Sequence, residues 1–179
     1  MASEPISSSP RILDRVGWLI FLPLVAVSLV AGWQAVTQFV VTRVPLLLFP
    51  AAAGLPDLVP PLRLWPVGRM TVAVWGIDVV GAVVMLVAAV VWLRAAAVRH
   101  PDASRLRAFG RAVAVCTLVV VIGNVVRLVP MTFIMHSDAA TFGGQFAATV
   151  VVSAVWGALI GVVVGVLAAV GAKKRAAAR

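Results

Sequence analysis

Residues 71–93 read TVAVWGIDVVGAVVMLVAAVVWL, an apolar run broken by a single charge, Asp78. About 20 apolar residues, at a rise of about 1.5 Å each, cross the hydrocarbon core of a bilayer as a helix. The run carries no proline, and it is too long for a buried strand. It predicts a membrane span. Outward from it the pattern repeats: Val16–Val41, Ala112–Met135 and Phe146–Val170 are runs of the same kind. The first is longer than the apolar core of a signal peptide, about 7–15 residues. Val30-Ala31-Gly32 is also a poor cleavage site, so this run is expected to be a retained helix.

Composition agrees. Of the 179 residues 63% are hydrophobic and 12% charged, with a mean hydropathy of +1.10. A soluble domain is about 45–50% apolar and about a quarter charged. The low charge excludes a disordered chain, and the lone Cys116 excludes a disulfide scaffold. A barrel would need alternating segments of about 10 residues. The expected fold is an all-α membrane protein, a four-transmembrane-helix bundle. Residues 1–15 form an arm, 16–170 a single transmembrane domain with spans at 16–41, 71–93, 112–135 and 146–170, and 171–179 a basic tail.

Charge sets the orientation. Arg11, Arg15, Arg94, Arg99, Arg105, Arg107, Arg111, Lys173, Lys174, Arg175 and Arg179 fall on one side of these spans, against Arg43, Arg63 and Arg69 on the other. The positive-inside rule places both termini in the cytoplasm of a cell inner (plasma) membrane. The net charge of +9 is then mainly a cytoplasmic collar facing anionic head groups of the bilayer. Nucleic acid is not an expected partner, because the basic residues flank spans and leave no room for a binding module. Trp18 and Trp92 lie near the cytoplasmic interface. Trp33, Trp75 and Trp156 lie deeper and are expected to pack between helices.

The outer loop, residues 42–70, holds six of the eleven prolines yet is strongly apolar. Such a segment is expected on the outer membrane surface or capping the bundle mouth, either as simple packing or as a lid. The loop between spans two and three offers Asp102 or Ser104 as a helix cap. Residues 136–145 are expected as a short polar loop in which His136 and Asp138 could meet.

Ionisable groups inside spans are costly and are functional candidates by default. Asp78 and Arg127 both lie about 10–12 Å below the outer interface by residue count, which predicts a pair. Gln34, Gln38, Asn124 and Ser153 fall in the same layer, with Thr149 a turn above Ser153. Two accounts stand: a structural clamp, or a ligand or ion site open to the outside. A third has Arg127 extending outward, away from Asp78. Span four also carries Gly157, Gly161 and Gly165 at four-residue spacing, a small-residue seam for close helix approach. It could serve within the chain or between protomers.

No nucleotide loop, nucleophile elbow, thiol pair or clustered metal-ligand set is present. No catalytic residue, metal or cofactor is expected. Four spans, the long Pro-rich outer loop and the stretch Arg105-Leu106-Arg107-Ala108-Phe109-Gly110 resemble a group of small bacterial membrane proteins without established activity. Their Ala/Val/Arg-rich versions are similar to actinobacterial chains. The resemblance implies the topology and transfers no site residue. The expected role is structural or interactive, as an accessory subunit or small membrane regulator, with a homo-oligomer or another membrane protein as partner. The alternative is a small transporter or ligand sensor built on the polar layer.

Overall fold

The computed structural model describes residues 13–44, 58–66, 68, 70–99 and 104–176. Most of the N-terminal arm, the loop prolines Pro45, Pro50 and Pro56, Arg69, His100, Asp102 and residues 177–179 lie outside this set. Among the described residues five helices follow in order: α1 Arg15–Gly32, α2 Gln34–Arg43, α3 Val72–Arg99, α4 Arg105–Ile134 and α5 Ala139–Ala176. Among the described residues there is no strand. Valine favours strands in water, but in lipid a segment must satisfy its own backbone groups, and a helix does so. Four of the helices (α1, α3, α4 and α5) are long and apolar enough to cross a membrane, which fits a multi-pass membrane protein.

Helix starts follow local chemistry. Asp14 caps α1 by accepting the Gly17 N–H at 2.7 Å. Ser104, one of the two expected caps, begins α4 by accepting the Arg107 N–H at 3.4 Å. Asp138 accepts the Thr141 N–H at 2.8 Å at the start of α5, and that bond holds its carboxyl below the usual carboxylate range. This cap brings α5 in at Ala139, seven residues before the expected start of span four at Phe146. The polar loop expected over 136–145 is thus reduced to a tight turn. His136 turns its ring to the Ile134 carbonyl and Asp138 bonds Thr141, so the two do not pair.

The first span departs most from expectation. Instead of one helix over 16–41, the chain breaks at Trp33, whose backbone is extended, and restarts as α2. The break coincides with the docking of the outer segment around Pro60 and Leu62. The Leu62 N–H donates to the Ser28 carbonyl at 3.0 Å. A Cβ at Gly32 would run into the Leu62 carbonyl. Trp33, expected between helices, is exposed beyond this break.

Helix α4 is the axis of the bundle. Half of its most apolar stretch is buried, 50% against 28% for each of the other three spans. It packs along α5 for most of its length and along α3 on another side, while α1 packs on α3 and α5. The α3 stripe Asp78, Gly81, Ala82, Met85, Ala89 and Leu93 faces inward, at the three- and four-residue spacing of one helix face. Val80, Val83, Val87 and Val91 remain exposed on another face, as lipid-facing residues are. The glycine seam lies within the chain. A Cβ at Gly157 would meet Thr117 Cα at 2.7 Å, one at Gly161 Val113 Cα at 2.6 Å, and one at Gly165 Phe109 Cδ2 at 2.8 Å. Each successive glycine meets α4 one turn further back, as antiparallel helices in close contact require.

One collar arginine is not simply solvated. Arg111 turns into the bundle, donates to both Asp14 oxygens at 3.3 and 3.4 Å, and donates to the Leu93 carbonyl. It ties the start of α1, the end of α3 and α4 at the basic end. Arg111→Ala is expected to cost about 2 kcal/mol, the worth of charge-assisted bonds from a largely buried group. Exposed Arg107→Ala should cost little. Unfolding by titration with dodecyl sulfate reads both.

Candidate functional site

The polar layer forms around four of its expected members, without Gln34 and Gln38 and with one residue added. Helix α3 brings in Asp78. Helix α4 brings in Asn124 and Arg127, one turn apart, and α5 brings in Ser153. Arg127 donates through Nε at 2.9 Å and Nη2 at 2.5 Å, both to Asp78 Oδ1. Its Nη1 donates to Asn124 Oδ1 at 3.1 Å, and Asn124 Nδ2 donates to Ser153 Oγ at 2.9 Å. All four residues are buried, from 1% exposure for Asn124 to 7% for Arg127. The matched depths of Asp78 and Arg127 therefore meet in a direct ion pair, and Arg127 does not extend outward.

The added residue comes from outside the helices. Arg63 donates through Nη1 to Asp78 Oδ2 at 2.6 Å and to Met70 Sδ at 3.3 Å. Its carbonyl accepts the Trp75 indole N–H at 3.0 Å. The segment carrying it enters the bundle as non-helical chain: Val59 is 5% exposed, and Pro60 and Pro61 are fully buried. Irregular backbone at membrane depth persists only where protein or a cavity satisfies it. Here Ser28 supplies the satisfaction. Its hydroxyl donates to the Pro60 carbonyl at 2.7 Å while its own carbonyl accepts from Leu62. Proline at 60 and 61 suits the segment, because neither residue has an N–H to leave orphaned.

Two glycines make the room. At Gly81 a Cβ would occupy the place of Arg127 Cγ, so the arginine stem crosses α3 there. At Gly123 a Cβ would meet Pro60 Cγ at 2.7 Å and Met85 Cβ at 2.9 Å. Both were legible in principle: Gly81 sits three residues from Asp78 and Gly123 four from Arg127, on the same helix faces. Arg63 carried no such signal. A basic residue in a proline-rich segment outside the spans reads as a surface charge.

Gln34 and Gln38 do not join the layer. Both are exposed on α2, because the break at Trp33 takes that helix out of line with α1. With Gly32, Thr37, Arg63 and Met70 they line a cavity of about 220 Å³ instead. Thr149 is buried one turn before Ser153, and its hydroxyl makes no hydrogen bond among the described residues. Cys116 is a buried, unpaired thiol in the α4 core. Among the described residues no group of three His, Cys, Asp or Glu side chains could hold a metal ion.

The chain matches no protein-family model, no curated protein and no solved structure. Its site has to be read from its own geometry. That geometry is a clasp: five side chains from four elements whose donors and acceptors meet one another. Both oxygens of Asp78 and both polar atoms of the Asn124 side chain have partners in it. Ser28→Ala removes the donor to a buried carbonyl, a loss of about 1–3 kcal/mol. The expected result is a lower melting temperature in detergent and faster proteolysis of the outer loop, with the helices still formed by circular dichroism.

Proposed function

We propose that this chain is a structural or interacting protein of a bacterial inner (plasma) membrane, an accessory subunit or small regulator, with both termini cytoplasmic. It works as a rigid four-span platform rather than as a catalyst. The reading is carried by one observation: the bonds from Arg63 through Asp78, Arg127 and Asn124 to Ser153 run from side chain to side chain without a gap. A transport site has to exchange protein contacts for substrate contacts. Here every such exchange would first break a buried hydrogen bond, in most of the clasp a charge-assisted one. Buried pairs of this kind specify which elements meet more than they add net stability. The partners that suit such a platform are another membrane protein or a second copy of the chain.

Purification from native membranes in mild detergent tests the reading. The expected result is co-elution with a membrane protein, or with itself, at fixed stoichiometry, and a drop in that partner's abundance when this chain is deleted. A lone monomer whose deletion changes no other membrane protein would overturn it.

A second reading rests on the cavity beside Arg63. Gln34, Thr37 and Gln38 offer hydrogen-bonding groups there, and Arg63 connects the cavity to Asp78. In this reading a small polar solute binds from the outside and acts on the clasp through Arg63. Thermal stabilisation by such a solute, lost in both Gln38→Leu and Arg127→Gln, would favour it.

A further inference from the structure

At the basic end α4 and α5 enclose a second feature. Gly165 seats the ring of Phe109, and beyond that contact the two helices border an open groove of about 590 Å³. Among the described residues its walls are Leu106, Phe109, Val166, Ala169 and Val170, with Arg105 as the charge at its edge.

Depth and charge together select an occupant. Val170 lies three residues before Lys173, the first charge after the apolar run of α5, and Arg105 is the first residue of α4. The groove therefore straddles the boundary between acyl chains and head groups. Its walls suit hydrocarbon, and Leu106 at 79% exposure and Val166 at 52% leave apolar surface open. Its mouth suits an anion for two reasons. Arg105 is there, and the first turn of α4 holds Arg105 and Arg107 with no acidic residue. Cations at the positive end of a helix dipole are unfavourably placed, and a bound anion relieves both. Basic pockets between spanning helices are a recurrent seat for anionic head groups.

We propose that this groove binds one anionic glycerophospholipid, with its phosphate on Arg105 and an acyl chain laid over Phe109, Val166 and Val170. The inference requires only that the four helices span a bilayer. It does not depend on the accessory-subunit reading.

Native mass spectrometry of the full chain in neutral detergent, titrated with phosphatidylglycerol or phosphatidylcholine, tests it. The first phosphatidylglycerol is expected to bind about fivefold more tightly than phosphatidylcholine, the effect of one cation near an anionic head group. Arg105→Gln should bring the two lipids level. Arg99→Gln, which removes an exposed collar charge outside the groove, should leave the preference intact. Val166→Trp, which fills the apolar wall, should weaken the first binding step for both lipids. Equal loss of preference in Arg99→Gln and Arg105→Gln would overturn the proposal in favour of diffuse attraction to the collar. Competition by glycerol 3-phosphate at concentrations as low as the lipid's would overturn it in favour of a soluble anion.

Discussion

Asp78→Leu is expected to lower the unfolding free energy by about 3–5 kcal/mol, the cost of removing one side of a buried ion pair. It is the more damaging half of the pair. Removing the carboxylate leaves Arg63 and Arg127, both bonded to it, as like charges around an apolar side chain. Arg127→Leu should cost less, because Asp78 keeps Arg63 on its second oxygen. Asn124 then loses one partner and keeps Ser153. The double substitution should lose clearly less than the sum of the two single losses, since contacting groups in one network are not additive. Titration of the purified protein with dodecyl sulfate, followed by the fluorescence of its six tryptophans, measures all three variants. Additive losses, or a larger loss from Arg127→Leu than from Asp78→Leu, would contradict the clasp.

Gly161→Leu should be the second most damaging change, at about 3 kcal/mol, the upper range for overpacking. The first added atom would lie 2.6 Å from Val113 Cα and 3.1 Å from the Val113 carbonyl oxygen. These are backbone atoms on the facing helix, so no rotamer change relieves the clash. The helices have to separate, and the packing at Gly157 and Gly165 goes with them. The control is Gly110→Leu on α4, where a Cβ would meet nothing within 4 Å. There the better helix propensity of leucine should leave stability level or slightly raised. A Gly161→Leu variant as stable as the parent chain would contradict this packing.

Much of the architecture was legible because lipid simplifies the rules. Each long apolar run has one stable form in a bilayer, so four runs meant four helices. Asp78 and Arg127 could be paired by counting residues from the span ends, since α3 and α4 are regular between those points. Gln34 and Gln38 defeated the same arithmetic, because the count assumes an unbroken helix. The break at Trp33 coincides with a segment about thirty residues away in sequence docking on Ser28 and Gly32, and no local propensity announces that contact. Arg63 was hidden for the same reason. Arg111 reads as a basic-side charge, yet counting carries no information on burial, so its tie to Asp14 and Leu93 was missed. The early start of α5 was lost because Thr141, Gly143, Gly144 and Gln145 interrupt the apolar run, although the Asp138 cap makes the stretch helical.

The order in which the partners of Asp78 appear along the chain has a consequence for biogenesis. Arg63 is translated before Asp78, but Arg127 follows it by 49 residues and Ser153 lies beyond α4. An unpaired carboxylate or guanidinium at the middle of a span costs about 2.5–3.5 kcal/mol on insertion. Helix α3 therefore leaves the translocation machinery with its penalty met by Arg63 alone, and only if the preceding loop is already folded back. Helix α4 in turn carries Arg127, whose carboxylate partner waits on α3. The two spans gain most by entering lipid together as a hairpin. Insertion and tertiary folding of this protein are therefore expected to be coupled, since a chain interrupted before α4 holds Asp78 without Arg127.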